Sequence, residues 1–141
     1  MPKKRGSAHW EGGLKDGKGT VSTESNALDD QPYGFNTRFE DKVGTNPEEL
    51  VAAAHASCFS MALSMVLGEG GMTASAIDTN CAVTLDQVDG GFAVTKSHLV
   101  VTLTVPGAEE SAVRDACETA KANCPISKLL TAEITMEVKI A

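Results

Sequence analysis

The chain has 141 residues, which is a length typical of one domain, and we predict a single domain over residues 1–141. Hydrophobic residues make up 42% of the chain but aromatic residues only 4%, so small and aliphatic side chains must fill most of the core. The formal net charge of −7 argues against a nucleic-acid partner, because phosphates require a basic surface.

The N-terminal third is rich in glycine and predicts an antiparallel meander. Its basic cluster at residues 3–5 is not followed by an apolar run and is unlike a secretory signal, so we expect a cytoplasmic protein. Short alternating segments separated by glycine, aspartate and proline are typical of strands. The predicted strands are Ser7–Trp10, Gly19–Glu24 and Gly34–Phe39.

A strong helix start follows the third predicted strand. Thr45 or Asn46 can cap the helix, Pro47 suits its first turn, and two glutamates complement the positive end of the helix dipole. The run from Leu50 to Leu67 continues this helix to a group of glycines. Because its residues are apolar or small on every side, we predict a central helix buried on most sides. Its histidine and serines predict that it is too polar to span a membrane, so we expect no membrane partner.

The second half of the chain alternates strands and helices. An Asp-Gly-Gly sequence at residues 89–91 is a hairpin signal between two long strand-like runs. The predicted elements are strands Ile77–Val88 and Phe92–Val105, helix Glu109–Asn123, a short turn or helix from Cys124 to Leu130, and strand Glu133–Ile140. The predicted class is α+β, with antiparallel sheets around a buried central helix and a second helix.

The four cysteines, at positions 58, 81, 117 and 124, form no CxxC pair. In a reducing compartment, cysteines are more often buried, metal-binding or redox-active than joined in structural disulfides. No histidine lies near two cysteines at zinc-finger spacing, so we expect no metal site. Cys117 lies on the apolar stripe of a predicted helix, and Cys81 lies in an alternating strand. We predict core packing for Cys117 and a role as core or surface filler for Cys81.

Cys58 and Cys124 are the candidates for redox chemistry. Cys58 lies inside the central helix, where a buried cysteine is commonly only a small hydrophobic residue. Cys124 precedes Pro125, which predicts that its sulfur caps a short helix whose free N–H groups favour a thiolate. The alternative for Cys124 is a cysteine that merely precedes a helix.

A thiolate that attacks an O–O bond needs a cation that holds the anion and polarises the leaving oxygen. Of the three arginines, one lies in the N-terminal tail and one on a predicted solvated helix face. Arg38 lies between Phe35 and Phe39, where a partly desolvated guanidinium would need a carboxylate partner. The alternative is a surface arginine that points into water.

Glu48 is the candidate partner of Arg38. Helix geometry places Glu48 about 80° round the central helix from Cys58, whereas Glu49 lies about 180° away. The same geometry separates Glu48 from Cys58 by about 15 Å along one straight helix. They can share a site only if the helix kinks or if a second subunit contributes one of them.

Five sequence blocks resemble the OsmC/Ohr family, and its OsmC branch in particular. Together they extend along essentially the whole chain, and the spacing from Asn-Pro-Glu to Cys58, combined with Cys-Pro at position 124, is specific. The blocks are AHWEG (residues 8–12), KGTVSTES (18–25), QPYGFNTRFE (31–40), GTNPEEL through CFSMAL (44–63) and ANCPIS (122–127).

This resemblance implies an OsmC-like fold and an intertwined homodimer with active sites at the subunit interface. It also implies that Cys58 is the peroxidatic cysteine and Cys124 the resolving cysteine. Arg38 matches the family's catalytic arginine, and Glu48 matches its carboxylate partner. In a site at the subunit interface, Glu48 and Cys58 could come from different chains, so their separation along one helix would not keep them apart.

The reaction that the resemblance implies is the reduction of organic hydroperoxides. Cys58 becomes a sulfenic acid, Cys124 closes a disulfide, and an external dithiol reduces that disulfide without a metal or organic cofactor. We expect an apolar pocket lined partly by Phe35, Phe39 and Met61. Few polar residues surround Cys58 in the sequence, so we expect organic peroxides to be preferred over hydrogen peroxide.

Two other functions stay open at this point. His55 lies three residues before Cys58, about 60° round the helix, so a Cys-His hydrolase is conceivable, although a hydrolase has no use for Cys124. In the simpler interpretation, His55 is a satisfied polar residue at a helix interface. The third candidate is a non-catalytic stress or ligand-binding protein.

Overall fold

The computed structural model describes residues 1–141, which form two compact units. Unit 1 is Met1–Leu50 and unit 2 is Val51–Ala141. In unit 1, three antiparallel strands form a sheet in the order β1-β2-β3. The elements of unit 1 are β1 (Gly6–Glu11), β2 (Lys18–Thr23), β3 (Gln31–Tyr33), helix α1 (Phe35–Phe39) and the first turn of helix α2 (Pro47–Glu69).

The third predicted strand is wrong, because residues 35–39 form helix α1. The backbone N–H of Arg38 donates to the carbonyl of Gly34 at 3.1 Å, and the Thr37 hydroxyl accepts from the Gly34 N–H at 2.8 Å. Phe35 and Phe39 are four residues apart, so one helical turn stacks their rings with centroids 4.8 Å apart. These local bonds outweigh the strand-like alternation of Tyr33, Phe35 and their neighbours.

Helix α2 begins as predicted, with Asn46 as its cap. The side-chain oxygen of Asn46 accepts the N–H of Glu49 at 2.8 Å, which satisfies one free donor of the first turn. The Glu49 carboxylate in turn accepts the Thr45 hydroxyl at 2.8 Å. Glu49 is therefore engaged at the cap, whereas its neighbour Glu48 is directed to a different partner.

Unit 2 contains a second three-stranded sheet, in the order β4-β5-β6. Strands β4 and β5 form the predicted hairpin, in which Gly90 adopts a φ of +87° that suits glycine in the turn. The strands are β4 (Ala76–Val88), β5 (Gly91–Thr104) and β6 (Glu133–Ile140), and the remaining helices are α3 (Glu110–Asn123) and α4 (Pro125–Leu129).

The prediction of antiparallel pairing is wrong for one pair of strands, because β5 and β6 are parallel. Two helices, α3 and α4, separate these strands in the chain. A crossover of that length returns the chain to the same end of the sheet, and parallel pairing requires such a connection.

The part of α2 that belongs to unit 2 packs one stripe of side chains into the core. The stripe follows helical spacing at His55, Phe59, Leu63 and Leu67, and all four are fully buried. Around it pack residues of β5 and α3, chiefly Leu99, Val101, Leu103, Val113 and Ala120. The prediction of burial on most sides is wrong for the single chain, because Met61 is 76% exposed and Met65 is 62% exposed.

By length and composition alone, α2 could cross a membrane, because an 18-residue window of it reaches a mean hydropathy of 1.8. The prediction that this run is too polar for a span is therefore wrong by this criterion. The core helix of a water-soluble protein meets the same criterion. Side-chain hydrogen bonds from His55 to Ser97 of β5 and from Ser60 to Thr79 of β4 are those of a core helix that packs on a sheet.

Candidate functional site

In unit 1, Arg38 and Glu48 form a forked ion pair. The Arg38 Nε lies 3.0 Å and 3.1 Å from the two carboxylate oxygens of Glu48, and its Nη2 also donates to Oε1. The Glu48 side chain is only 13% exposed and that of Arg38 is 34% exposed. A planar guanidinium held by two parallel bonds has a fixed orientation. The predicted pairing is thus present, and Arg38 is not simply a solvated surface residue.

Aromatic rings surround this ion pair. The guanidinium carbon of Arg38 lies 5.6 Å from the ring centre of Phe39, which is within cation–π range. A cavity of about 210 Å³ opens beside the guanidinium, and its wall includes both predicted phenylalanines, Phe35 and Phe39. Sequence reasoning missed the other apolar side chains of this wall, which are Trp10, Leu14, Tyr33 and Pro47. Trp10 on β1 and Tyr33 on β3 flank β2, where both are in register with Gly19, so it is the sheet and not sequence spacing that brings them together.

In unit 2, Cys124 is the N-cap of α4, as predicted. It is fully buried, and its sulfur accepts the backbone N–H of Ser127 at 3.3 Å. Pro125 occupies the first turn, where its missing N–H costs no hydrogen bond. The Cys124 sulfur therefore satisfies one of the free N–H groups of the first turn of α4.

Cys58 adjoins Cys124 and is half-buried. Burial raises the pKa of the Cys58 thiol, a hydrogen bond from the backbone N–H of Ile126 lowers the pKa, and the neighbouring Cys124 thiol raises it again; the net direction is upward. Two successive backbone N–H groups in the first turn of α4 thus donate to the two sulfurs: that of Ile126 to Cys58 and that of Ser127 to Cys124. All four cysteines are free thiols.

The surface around Cys58 is a shallow, mainly apolar hollow of about 370 Å³. Its wall includes Met61, which was predicted to contact substrate, together with Ala54, Ser57 and Ile126. Of the predicted substrate contacts, Met61 therefore lies beside Cys58 in unit 2, and the two phenylalanines lie beside Arg38 in unit 1.

The other two cysteines lie where packing was predicted. Cys117 is fully buried in the core, and burial raises the pKa of its thiol to about 11, so it is protonated at neutral pH. Cys81 is half-buried, and burial raises the pKa of its thiol despite a hydrogen bond with Ser97. Neither has the helix N-terminus that Cys124 has.

His55 does not pair with Cys58. Its Nδ1 lies 2.6 Å from the Ser97 hydroxyl and its Nε2 lies 2.8 Å from the Ser127 hydroxyl, so serines occupy both ring nitrogens. Burial lowers the pKa of His55, which keeps the ring neutral. The Cys58–His55 pair of the hydrolase alternative is therefore absent, and the cysteine sulfur near Nδ1 is that of Cys81, at 3.9 Å. Sequence reasoning missed Ser97 and Ser127, although the Cys-x-x-Ser spacing places Ser127 at the capped turn.

The chain is an α+β protein, and unit 2 contains a site with two adjacent cysteines. The family model described as OsmC-like protein matches residues 39–139. Peroxiredoxin OsmC of Escherichia coli (strain K12) is 58% identical over 137 residues, which cover 97% of this chain and 96% of that protein. The chain belongs to the OsmC family, which confirms the resemblance found in its motifs.

More distant relatives share the fold. The organic hydroperoxide resistance protein OhrB of Bacillus subtilis (strain 168) is 28% identical over 123 residues, which cover 86% of this chain and 88% of that protein. The crystal structure of an OsmC-like protein from Mycoplasma pneumoniae superposes with a TM-score of 0.76 at 14% identity, covering 99% of this chain and 98% of that one. At that identity, the structural match supports the fold alone.

Proposed function

We propose that this protein is a peroxidase that reduces organic hydroperoxides with Cys58 and resolves the product with Cys124. The observation that carries the proposal is the adjacency of these two free thiols at the first turn of α4. The identity to Peroxiredoxin OsmC over nearly the full chain supports the peroxidase activity. The name of OhrB supports an organic hydroperoxide as the substrate class.

The reaction begins at Cys58. Its thiolate attacks the distal oxygen of the hydroperoxide, the O–O bond breaks, and an alcohol leaves with one proton while Cys58 becomes a sulfenic acid. Cys124 then attacks the Cys58 sulfur, which forms an S–S bond and releases water. An external dithiol reduces the disulfide and returns both thiols. Every atom of the cycle comes from the two thiols, the peroxide, the dithiol and solvent.

The role that we propose for Arg38 follows from the electrostatics of Cys58. The groups of unit 2 that act on Cys58 raise its pKa on balance, so the thiolate needs a cation. Arg38 supplies that cation in this proposal, and Glu48 fixes the direction of the guanidinium. The apolar side chains of Phe35, Phe39 and Met61 receive the organic part of the peroxide.

We further propose that the protein is a cytoplasmic homodimer. The exposed methionine face of α2 supports this, because a long helix with an uncovered apolar face is typical of an interface. A second copy that covers Met61 and Met65 would give α2 the burial on most sides that its composition predicts. Free thiols at all four cysteines are consistent with a reducing compartment.

The direct test is mass spectrometry of the protein after one equivalent of an organic hydroperoxide. We expect a loss of two hydrogens and a tryptic cross-link between the peptides of Cys58 and Cys124. A cross-link that involves Cys81 or Cys117 instead, or no cross-link at all, would contradict the assignment. Dimedone trapping in a Cys124→Ser variant is expected to label Cys58, since its sulfenic acid then has no resolving thiol.

Substrate preference is a separate prediction. The hollow beside Cys58 is mainly apolar, so a bulky apolar peroxide gains burial that hydrogen peroxide does not. We expect kcat/KM for cumene hydroperoxide to exceed that for hydrogen peroxide by about tenfold or more, which corresponds to about 1.4 kcal/mol. Steady-state rates with a dithiol reductant measure the ratio. Equal or faster turnover of hydrogen peroxide would show that apolar contacts do not select the substrate.

A further inference from the structure

A chain of hydrogen bonds leads from Cys124 through the core to Cys81. The Ser127 hydroxyl lies 3.3 Å from the Cys124 sulfur and 2.8 Å from Nε2 of His55. On the other side of the ring, Nδ1 lies 2.6 Å from the Ser97 hydroxyl, which in turn lies 3.1 Å from the Cys81 sulfur. The proposed reaction does not use Ser127, His55, Ser97 or Cys81.

Every link of this chain can run in either direction. A hydroxyl donates one hydrogen bond while it accepts another, and a neutral imidazole donates from one nitrogen and accepts at the other. In the first direction, the Cys124 thiol donates to Ser127, which donates to His55, and Nδ1–H donates to Ser97. In the second direction, Nε2–H donates to Ser127, and the Ser127 hydroxyl donates to the Cys124 sulfur.

The two directions suit the two states of Cys124. The first satisfies a thiol, which has a proton to donate. The second satisfies a thiolate, whose sulfur then accepts both the hydroxyl and the backbone N–H of Ser127. Reversal needs hydroxyl rotations and a change of tautomer at His55, in which Nε2 gains a proton from the Ser127 side as Nδ1 gives one up on the Ser97 side, so the ring stays uncharged. Burial lowers the pKa of His55 and so keeps the neutral form that can reverse.

We propose that Ser127, and His55 acting through Ser127, position Cys124 and stabilise its thiolate during its attack on oxidised Cys58. This inference rests on the proposed function and concerns only its second step. In that step Cys124 has released its proton to solvent, the S–S bond forms, and the S–O bond of the sulfenic acid breaks. The departing hydroxide takes a proton from solvent and leaves as water. The groups that face His55 are Cys81 on β4, Ser97 on β5 and Ser127 on α4.

The network also explains why a histidine begins the buried and otherwise apolar stripe of α2. His55 is fully buried one turn before Phe59, and the stripe continues with Leu63 and Leu67. Burying an imidazole without hydrogen-bond partners costs free energy. A histidine with a purely structural role would need two hydrogen-bond partners, but it would not matter which residues they were. Here one of the two partners also contacts the sulfur of the resolving cysteine, which a purely structural histidine does not require.

The test separates the two chemical steps in a single turnover. The reduced protein is mixed with one equivalent of cumene hydroperoxide, and peroxide loss and disulfide formation are followed separately by quenched flow. In Ser127→Ala, the backbone N–H to Cys124 stays in place and only the hydroxyl is lost. We expect peroxide loss at the wild-type rate and disulfide formation slowed by roughly tenfold, the effect of one hydrogen bond to a charged group.

Two further readouts distinguish positioning from structure. The pH profile of disulfide formation in Ser127→Ala is expected to move to higher pH, because the thiolate has lost a donor, and Ser127→Thr is expected to restore it. His55→Gln, which can still bond to Ser127, is expected to retain more of the rate than His55→Leu. The matched control is Ser60→Ala, which removes the 2.7 Å bond to Thr79 between α2 and β4 and has no link to Cys124.

The outcomes separate the two proposals. Normal peroxide loss with an unchanged rate and pH profile of disulfide formation in Ser127→Ala would overturn this inference alone. An equal slowing in Ser60→Ala would also overturn it, because the effect would then be one of general stability. If the wild-type protein consumes no peroxide, the proposed function fails, and this inference fails with it. Should the His55 variants not fold, the rates and pH profiles of disulfide formation in Ser127→Ala and Ser127→Thr test the inference by themselves.

Discussion

Substitution of Cys58 by serine is expected to lower the second-order rate of hydroperoxide consumption by at least about 10³-fold, since the covalent step then has no nucleophile. A serine hydroxyl keeps the size and burial of the thiol but is not ionised at neutral pH. Substitution of Cys124 by serine has a different expected result. The first equivalent of peroxide is consumed at the wild-type rate and leaves Cys58 as a sulfenic acid. A second equivalent oxidises it to sulfinic acid, and turnover then stops.

The measurement is peroxide loss under single and multiple turnover, with mass spectrometry of the products. Cys117→Ala is the matched control, because its thiol is buried in the core and its pKa of about 11 keeps it protonated. We expect this variant to retain the activity of the wild type once circular dichroism shows that it is folded. Sustained turnover by Cys124→Ser would contradict the assigned resolving role. Full activity of Cys58→Ser would remove the basis of the proposed function.

Local sequence signals predicted most of the elements that carry these cysteines. The cap at Asn46, the Asp-Gly-Gly turn at residues 89–91 and the Cys-Pro start of α4 all depend on bonds between residues close in the chain. Such bonds follow from residue type and spacing. For that reason the ends of α2 and the N-cap position of Cys124 could be placed from the sequence alone.

Non-local contacts explain what the sequence did not predict. His55 bonds to residues 42 and 72 positions away, and no spacing rule indicates such partners. The parallel pairing of β6 depends on which edge of the sheet the chain reaches after two helices. Helix α1 is the exception, because the spacing of Phe35 and Phe39 by four residues is a helical signal, which the surrounding alternation obscured.

The Arg38–Glu48 pair gives the second large expected effect. Arg38→Ala is expected to slow oxidation of Cys58 by about 10²- to 10³-fold, the range found when one electrostatic stabiliser of a transition state is removed. Burial and Cys124 raise the pKa of Cys58, so loss of the cation that we propose for its thiolate is expected to leave less thiolate at neutral pH. The variant is therefore expected to need a higher pH to reach a given rate.

Two conservative variants separate charge from orientation. Arg38→Lys keeps the positive charge but loses the fork that binds both carboxylate oxygens, so we expect an intermediate rate. Glu48→Gln keeps the size of the side chain and can still accept one bond, so we expect a loss of about tenfold, equivalent to about 1.4 kcal/mol. Arg38→Ala leaves the Glu48 carboxylate, which is 13% exposed, without its partner, so thermal unfolding must be measured beside activity.

Arg114→Ala is the matched control, since it removes a 2.9 Å ion pair with Glu110 on the exposed surface of α3. Exposed pairs contribute little to stability, and this arginine has no proposed role in the reaction. We expect wild-type oxidation of Cys58 in this variant. If Arg38→Ala oxidised Cys58 as fast as Arg114→Ala does, the forked pair would serve only the structure of unit 1. The Cys58 thiolate would then be stabilised by some group other than Arg38. A loss of rate in the Arg38 and Glu48 variants, but not in Arg114→Ala, would instead support the proposed role of the forked pair.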